Sequence, residues 1–570
     1  MKRHVLAGLI GLGAITAAGP AAAQALRFTT TAPGNVIAVG NTLGLSKETG
    51  LNGPGTSDAI GTFITLSGAS VDTELPLGSL AWPAGTTNDW TLNGSDALLD
   101  LPVEATVLYA ELVWGGSHAY GGEDVTAFLN DPITLSYGAD SITVSPSAVT
   151  STTVEETGSF VIRYYMRSGE VTSFVAQHGE GIYAVEGVPG TQASSVNTVS
   201  AAGWSVIVAY RLDSEPIRNL SVFVGDTAFV DENTTVDYSV SGFCAPPAGD
   251  IQGTIVVSTM EGDSNRVGDQ LAIGETAAST FVNLSGPNNP SNNFFCSQIN
   301  GPNGQLDTMG TFGNANHTPG SNAVGARQGW DLTHVQVSSA AGQLVPAQTS
   351  AVLRTQTLDD SYMPVLAGIA IDVNAPTFLY SASTTEVDVV DVGVGDSFTV
   401  TATLLNEGTA LADDVSFTLA LPAGISLTSF ATDGQPGDFM GGAVDLADLG
   451  TGVAMGDLTP GADRVVTLVL QVDSPQANTI FIQPVWSYSY TQCVGMPATE
   501  TFSGELEIVT FIPEPGTGGG GQGGGSGSGT GSSSSSSAAS GGLSSSSGGT
   551  GSGAGTGGEG GGDGDTQIEA

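Results

Sequence analysis

The chain has 570 residues, of which 12 are basic and 56 acidic, for a formal charge of −44. A surface of that sign repels DNA, RNA and anionic lipid, which excludes nucleic-acid binding as a role. After the first 25 residues no run reaches about 18 uninterrupted apolar side chains, so no transmembrane helix is expected in the mature chain.

Lys2 and Arg3 precede the apolar stretch Val5–Ala18, and small-residue cleavage sites follow at Ala21-Ala22-Ala23 and Ala23-Gln24-Ala25. That order reads as a signal peptide over residues 1–25 and places the protein outside the cell or on its surface. Residues 26–375 then read as one large β-rich region. Leu108, Ala110, Leu112 and Trp114 fall on one face of a strand. Phe160, Ile162, Tyr164 and Met166 do the same, as do Trp204, Val206, Val208 and Tyr210. A period of two sends such a row to a core and the alternate row towards water. Further runs follow at Leu220–Val224, Thr254–Met260, Thr333–Val337 and Gly368–Val373. Helical turns are expected only near Asp124–Phe128 and Glu170–Ala176. A region of about 350 residues exceeds a usual single domain, which predicts two packed sandwiches or a large jelly roll.

Candidate chemistry in this region is sparse. Cys244 and Cys296, both flanked by Phe, form the natural disulfide pair in an oxidising compartment and leave Cys493 as a free thiol. Glu261, Asp263, Asn265 and Asp269 place oxygen donors on a Gly-broken backbone, a pattern that suits a Ca²⁺ cage. The alternative is an acidic turn whose side chains bond their own backbone. Trp82 and Trp90 fall in predicted loops, where an aromatic face can stack on a sugar ring. His118, His178, His317 and His334 stand in no zinc-site spacing, and no catalytic residue is assigned.

Residues 376–512 form a smaller β-sandwich. Phe398, Val400, Ala402 and Leu404 alternate with threonines, and Val415, Phe417, Leu419 and Leu421 alternate with Ser416, Thr418 and Ala420. Asn406-Glu407-Gly408, Leu421-Pro422-Ala423-Gly424 and Leu458-Thr459-Pro460-Gly461 resemble the turn marks of an Ig-like repeat. That repeat is the "conserved repeat" domain of bacterial surface proteins, domain of unknown function eleven. Upstream, Leu112-Val113-Trp114-Gly115-Gly116, Gly203-Trp204, Glu261-Gly262-Asp263, Asn289–Asn293 and Gly329-Trp330-Asp331 resemble the N-terminal β region of large secreted proteins that carry such repeats. The resemblance implies a spacer or adhesive stalk. From residue 513 to residue 570 the chain is Gly and Ser almost throughout and is expected to be disordered.

The expected fold class is therefore all-β: a large sandwich or jelly roll, an Ig-like sandwich and a disordered tail. The expected role is structural or adhesive at a surface or in a matrix, without catalysis, against an extracellular protein or polysaccharide. The alternative is a secreted carbohydrate-active hydrolase, or a Ca²⁺-stabilised carbohydrate-binding module, on the N-terminal β region.

Overall fold

The computed structural model describes residues 25–51, 53–68, 80–120, 122–157, 161–192, 200–225, 229–231, 234–359, 361–492 and 497–513. The fold is all-β, and its only α-helices among the described residues are Thr172–His178 and Leu446–Thr451. The described residues belong to one compact unit. Cys493 and the Gly/Ser tail lie outside the described residues.

The large region is a stack of four β layers. Its first strand, Ala25–Thr42, sits at the centre of a nine-stranded sheet. The two halves of that strand serve different neighbours. Ala25–Pro33 pair with Ile217–Val224, whereas Gly34–Thr42 pair with Ala202–Arg211. The change falls at Pro33-Gly34, where Gly34 has φ +144° and a Cβ would meet the Tyr210 carbonyl oxygen at 2.0 Å. Only glycine allows that approach. The sheet folds over on itself there, so that Trp330 near its far edge donates from Nε1 to Ser205 Oγ on Ala202–Arg211 at 2.9 Å. Ser205 Oγ in turn lies 3.1 Å from Ser258 Oγ.

Between the folded halves lies one core, formed by Val36, Val113, Met166, Ile207, Val222, Val256, Met260 and Leu366 among others. The other face of one half packs on a four-stranded sheet through Leu112, Trp114, Trp204, Val206, Leu135 and Val185. The other face of the second half packs on another four-stranded sheet through Ile255, Ile369, Tyr238, Ile273 and Leu353. The middle strands are thus covered on both sides, and Ala202–Arg211 is buried at nine of its ten positions. This corrects the expectation that Ser205, Ile207 and Ala209 form a water-facing row. They face a second sheet, and small side chains let it approach. A Cβ on Gly203 would strike the Trp330 ring at 2.5 Å.

The second sandwich follows the alternation closely. In Ser397–Leu405 the buried positions are Phe398, Val400, Ala402 and Leu404, with the threonines half-exposed. This strand lies in a five-stranded sheet with Asp463–Val472 and Ile425–Thr432, opposite a four-stranded sheet containing Ala412–Leu419 and Pro484–Thr491. Trp486 and Phe417, cross-strand partners on the four-stranded sheet, pack edge-on at 4.8 Å.

The two sandwiches share a core, because the cluster that begins at Tyr238 and Ile255 continues through Val373, Ala375 and Phe378 to Phe398 and Trp486. Asn406, fully buried, fixes the junction. Its Oδ1 accepts from Thr377 N at 3.3 Å and Gly408 N at 3.0 Å, while Nδ2 donates to the carbonyls of Ala410 (2.9 Å) and Leu458 (3.0 Å). The Asn406 carbonyl accepts from Gly461 N at 2.7 Å. Two of the three sequence marks are therefore one object: Asn406 binds the incoming chain to the Pro460-Gly461 turn. Gly408 packs so tightly on Ala375 and Thr377 that a Cβ would sit 2.3 Å from the Ala375 oxygen. Arg211 adds a polar clasp, with Asp213 at 2.7 Å, Glu500 at 2.9 Å and the Thr501 carbonyl at 3.0 Å.

Candidate ligand cleft

The strands Val282–Asn283 and Trp330–Ser338 are joined by a long connection whose one regular element is the 3₁₀ turn Gly313–Ala315. A connection of that length inside a compact domain points to a binding or functional loop. Its shape is set by a buried cation. Arg327 donates to the carbonyls of Met309 (2.8 Å), Thr311 (2.9 Å) and Asp307 (3.3 Å). Burial lowers its pKa to about 10 against the pull of Asp307 and Asp96, which leaves it charged at neutral pH. Thr311 Oγ1 donates to Asp96 Oδ1 at 2.5 Å, and Asn41 Nδ2 bonds the carbonyls of Asp96 and Thr311. The loop is thereby stitched to the first strand and to Gly94–Leu99.

Under it lies a cavity of about 310 Å³, floored by residues 37–40 and 98–100 and roofed by residues 299–309. That volume is at the lower end of the range for small-molecule sites. Its polar lining is Asp100, Asn300, Asn303, Gln305, Asp307 and Thr308. Asn300 is buried, and its Nδ2 donates to Asn289 Oδ1 and Thr333 Oγ1 at 3.3 Å each. Its Oδ1 has no hydrogen-bond partner among the described residues. Burial holds the Asp307 carboxyl above its ordinary range, although Met309 N and Arg327 pull the other way. Below the cavity, His334 Nε2 accepts from Ala38 N at 3.0 Å, and burial lowers the imidazole to about 4, so the ring is neutral. Amide and carboxyl groups over an apolar floor suit a neutral, hydroxyl-bearing ligand.

The acidic hairpin read as a Ca²⁺ candidate lies beside the same loop. Glu261, Asp263 and Asp269 are buried, whereas Asn265 is exposed and leaves the set. Glu261 takes φ +62°, a left-handed turn that aims it back into the fold. Asp263 pairs with Arg266 at 3.1 Å, and Asn293 Nδ2 donates to the Ser264 carbonyl at 3.0 Å. A buried acid that sequence reasoning passed over, Asp331, joins this neighbourhood. Its Oδ1 accepts from Cys296 N and Gln298 N at 2.9 Å each, and Gly262 packs against its Oδ2. Among the described residues no three His, Cys, Asp or Glu side chains are grouped to hold a metal ion.

Three other expectations change. Cys296 lies buried outside any disulfide, its Sγ donating to the Asn293 carbonyl at 2.8 Å, whereas Cys244 is disulfide-bonded, so Cys244–Cys296 is not the pair formed. The Asp331 bond to its backbone turns Cys296 into the loop, while the Cys244 carbonyl accepts from Asn374 N at the junction between sandwiches. Trp82 is buried against Leu45 and Ile64, so it offers no face to a sugar. Trp90 is half-buried on Phe128, 5.3 Å between centroids. The four histidines occupy four separate settings. His118 bonds Thr126, His178 stacks on Tyr137, His317 bonds Gln328 and His334 meets Ala38.

No family model matches the chain, and no curated protein matches it. Among solved structures it is similar to a DUF4785 family protein from Legionella pneumophila at 14% identity and TM-score 0.15, over 52% of this chain and 65% of that one. It is similar to a β-1,2-glucanase from Parabacteroides distasonis at 9% identity and TM-score 0.15, over 52% of this chain and 33% of that one. A putative membrane anchored protein from Corynebacterium diphtheriae is 8% identical at TM-score 0.16, over 86% of this chain and 98% of that one. The chain thus spans under two thirds of the first two, and likenesses at these TM-scores carry no argument about function.

Proposed function

We propose that the chain is a secreted surface or matrix protein with a structural and adhesive role, a rigid β stack that holds its Ig-like end in fixed orientation. The observation that supports this reading is the single hydrophobic core running from the large region through Ala375 and Phe378 into the second sandwich. Such a joint transmits force and orientation, whereas separate domains swing on linkers. The test immobilises the chain from residue 25 onward and passes extracellular-matrix proteins and polysaccharides over it, with a broad hydrolase panel run on the same preparation. Retention of one of these polymers without turnover supports the reading. Turnover of any glycan overturns it.

A second reading has one observation in its favour, the 310 Å³ cavity with its buried Asn300 and Asp307. In that reading the large region binds or cleaves a short neutral glycan. Asn300→Leu would then abolish saccharide binding measured by calorimetry while leaving the junction intact.

A further inference from the structure

Strand Glu507–Phe511 carries strongly exposed apolar side chains on its outer face. Its inward row, Val509 and Phe511, is buried, as alternation requires. The outward row is mostly apolar as well: Leu506, Ile508 and Ile512, interrupted by exposed Thr510, are 45%, 51% and 52% exposed. On the adjacent strand Thr479–Ile482, Phe481 lies directly across from Ile508 and is 58% exposed. Val390, on the opposite side, is 60% exposed and accepts from Thr510 N through its carbonyl. A sheet with apolar rows on both faces is composed for cover on both faces. Left bare in water, such a patch is a template for association.

The rest of the chain offers poor cover. Beyond this strand, residues 515–570 contain Leu543 and Ile568 as their only large aliphatic or aromatic side chains. Charge then narrows the occupant. Residues 376–512 carry seventeen acidic side chains and one basic one, Arg464, which is engaged with Asp433. Asp391 lies on the outward face beside Thr510, while Glu505 and Glu507 fall on the other row of the strand and add negative charge at its edge. A second copy would bring the same acidic border against this one, and like charges across an interface oppose docking. An anionic membrane is repelled for the same reason. We infer that this outer face docks a partner protein whose apolar surface is bordered by Lys or Arg.

The test titrates the chain from residue 25 onward with a fluorescent peptide of alternating valine and lysine. The matching valine–glutamate peptide and phosphatidylcholine vesicles serve as alternatives, and sedimentation velocity reports self-association. The lysine peptide binds the wild type, binding weakens with salt, and Phe481→Ser/Ile508→Ser weakens it by roughly tenfold or more from lost apolar burial. Leu506→Ser/Ile512→Ser gives a second reading of the same face. Both variants keep the wild-type Tm, since the altered side chains are about half-exposed. The inference is overturned if the variants bind the lysine peptide as the wild type does, or if the glutamate peptide binds equally well. It is equally overturned if vesicles or a second copy of the chain occupy the face.

Discussion

Strands Ala202–Arg211 and Ser397–Leu405 are nearly equal in length and read alike in sequence, yet water meets them differently. The first is buried at every position but its last; the second is buried at every other one. Two packing solutions follow. In the large region the middle layers are thin, and glycine and serine let sheets close on both sides. In the second sandwich each sheet has one dry face, and threonine on the other meets solvent. Packing density, not strand propensity, separates them. The large region should therefore respond steeply to changes of volume, and the small one mainly to loss of its junction.

The largest expected effect is Trp330→Ala, which empties the space between folded sheet halves and costs about 3–5 kcal/mol. Thr401→Ala, on the outward row of the second sandwich, stays within about 0.5 kcal/mol. Urea denaturation followed by tryptophan fluorescence measures both, and similar costs would erase the distinction.

Acid sharpens the contrast next. Burial lowers His317 and His334 to about 4, against 6.5 ordinarily. The folded state then binds fewer protons than the unfolded one, so this stability is complete above pH 6.5 and is lost as pH falls towards 4. At pH 5 the loss is about 2 kcal/mol for each histidine. Residues 376–512 contain no histidine. Melting curves between pH 7 and 5 should show Tm falling, with a shallower slope in His334→Gln; an unchanged slope contradicts the assignment.

Asn406→Ala leaves two carbonyls and two N–H groups at the junction without their partner, at a cost of about 2–3 kcal/mol. The shared core predicts one calorimetric transition for the wild type, and this variant should show two, because the joint rather than either core is weakened. A smaller effect than at Asn406 is expected for Glu500→Gln, which trims the Arg211 clasp by about 1 kcal/mol and lowers Tm by a degree or two without splitting the transition.

How far these features were legible in sequence follows from what each depends on. Alternation announces strands, so Phe398–Leu404 and Trp204–Tyr210 were found with their buried rows. Turn residues announce turns, so Asn406-Glu407-Gly408 and Pro460-Gly461 stood out, although nothing in their spacing shows that they bind each other. Burial on both faces was not legible, since Ser205, Ile207 and Ala209 look like any outward row until a second sheet is placed over them. Residues 25–42 show no clear alternation, yet they form the central strand. In the candidate cleft Asp307 and Asn300 lie in a stretch that reads as coil, and Arg327 identifies itself only through the carbonyls it gathers. Asp331 meets the Glu261–Asp269 hairpin across more than sixty residues of chain. Cys244 is disulfide-bonded and Cys296 is not, a choice of partner that spacing along the chain does not reveal.

The central position of the first strand has a consequence for synthesis. Asn35 pairs with Tyr210, and Thr30 with Leu220, so the earliest strand made has no partner for its inner edges until some 175 residues more have been added. At ~5–20 residues per second that wait lasts roughly 10–35 s. Throughout it an apolar ribbon, Val36 to Val39, is open to any passing β edge. Ribosome profiling of the factors bound to the nascent chain should find a holding chaperone engaged until about residue 224 has emerged.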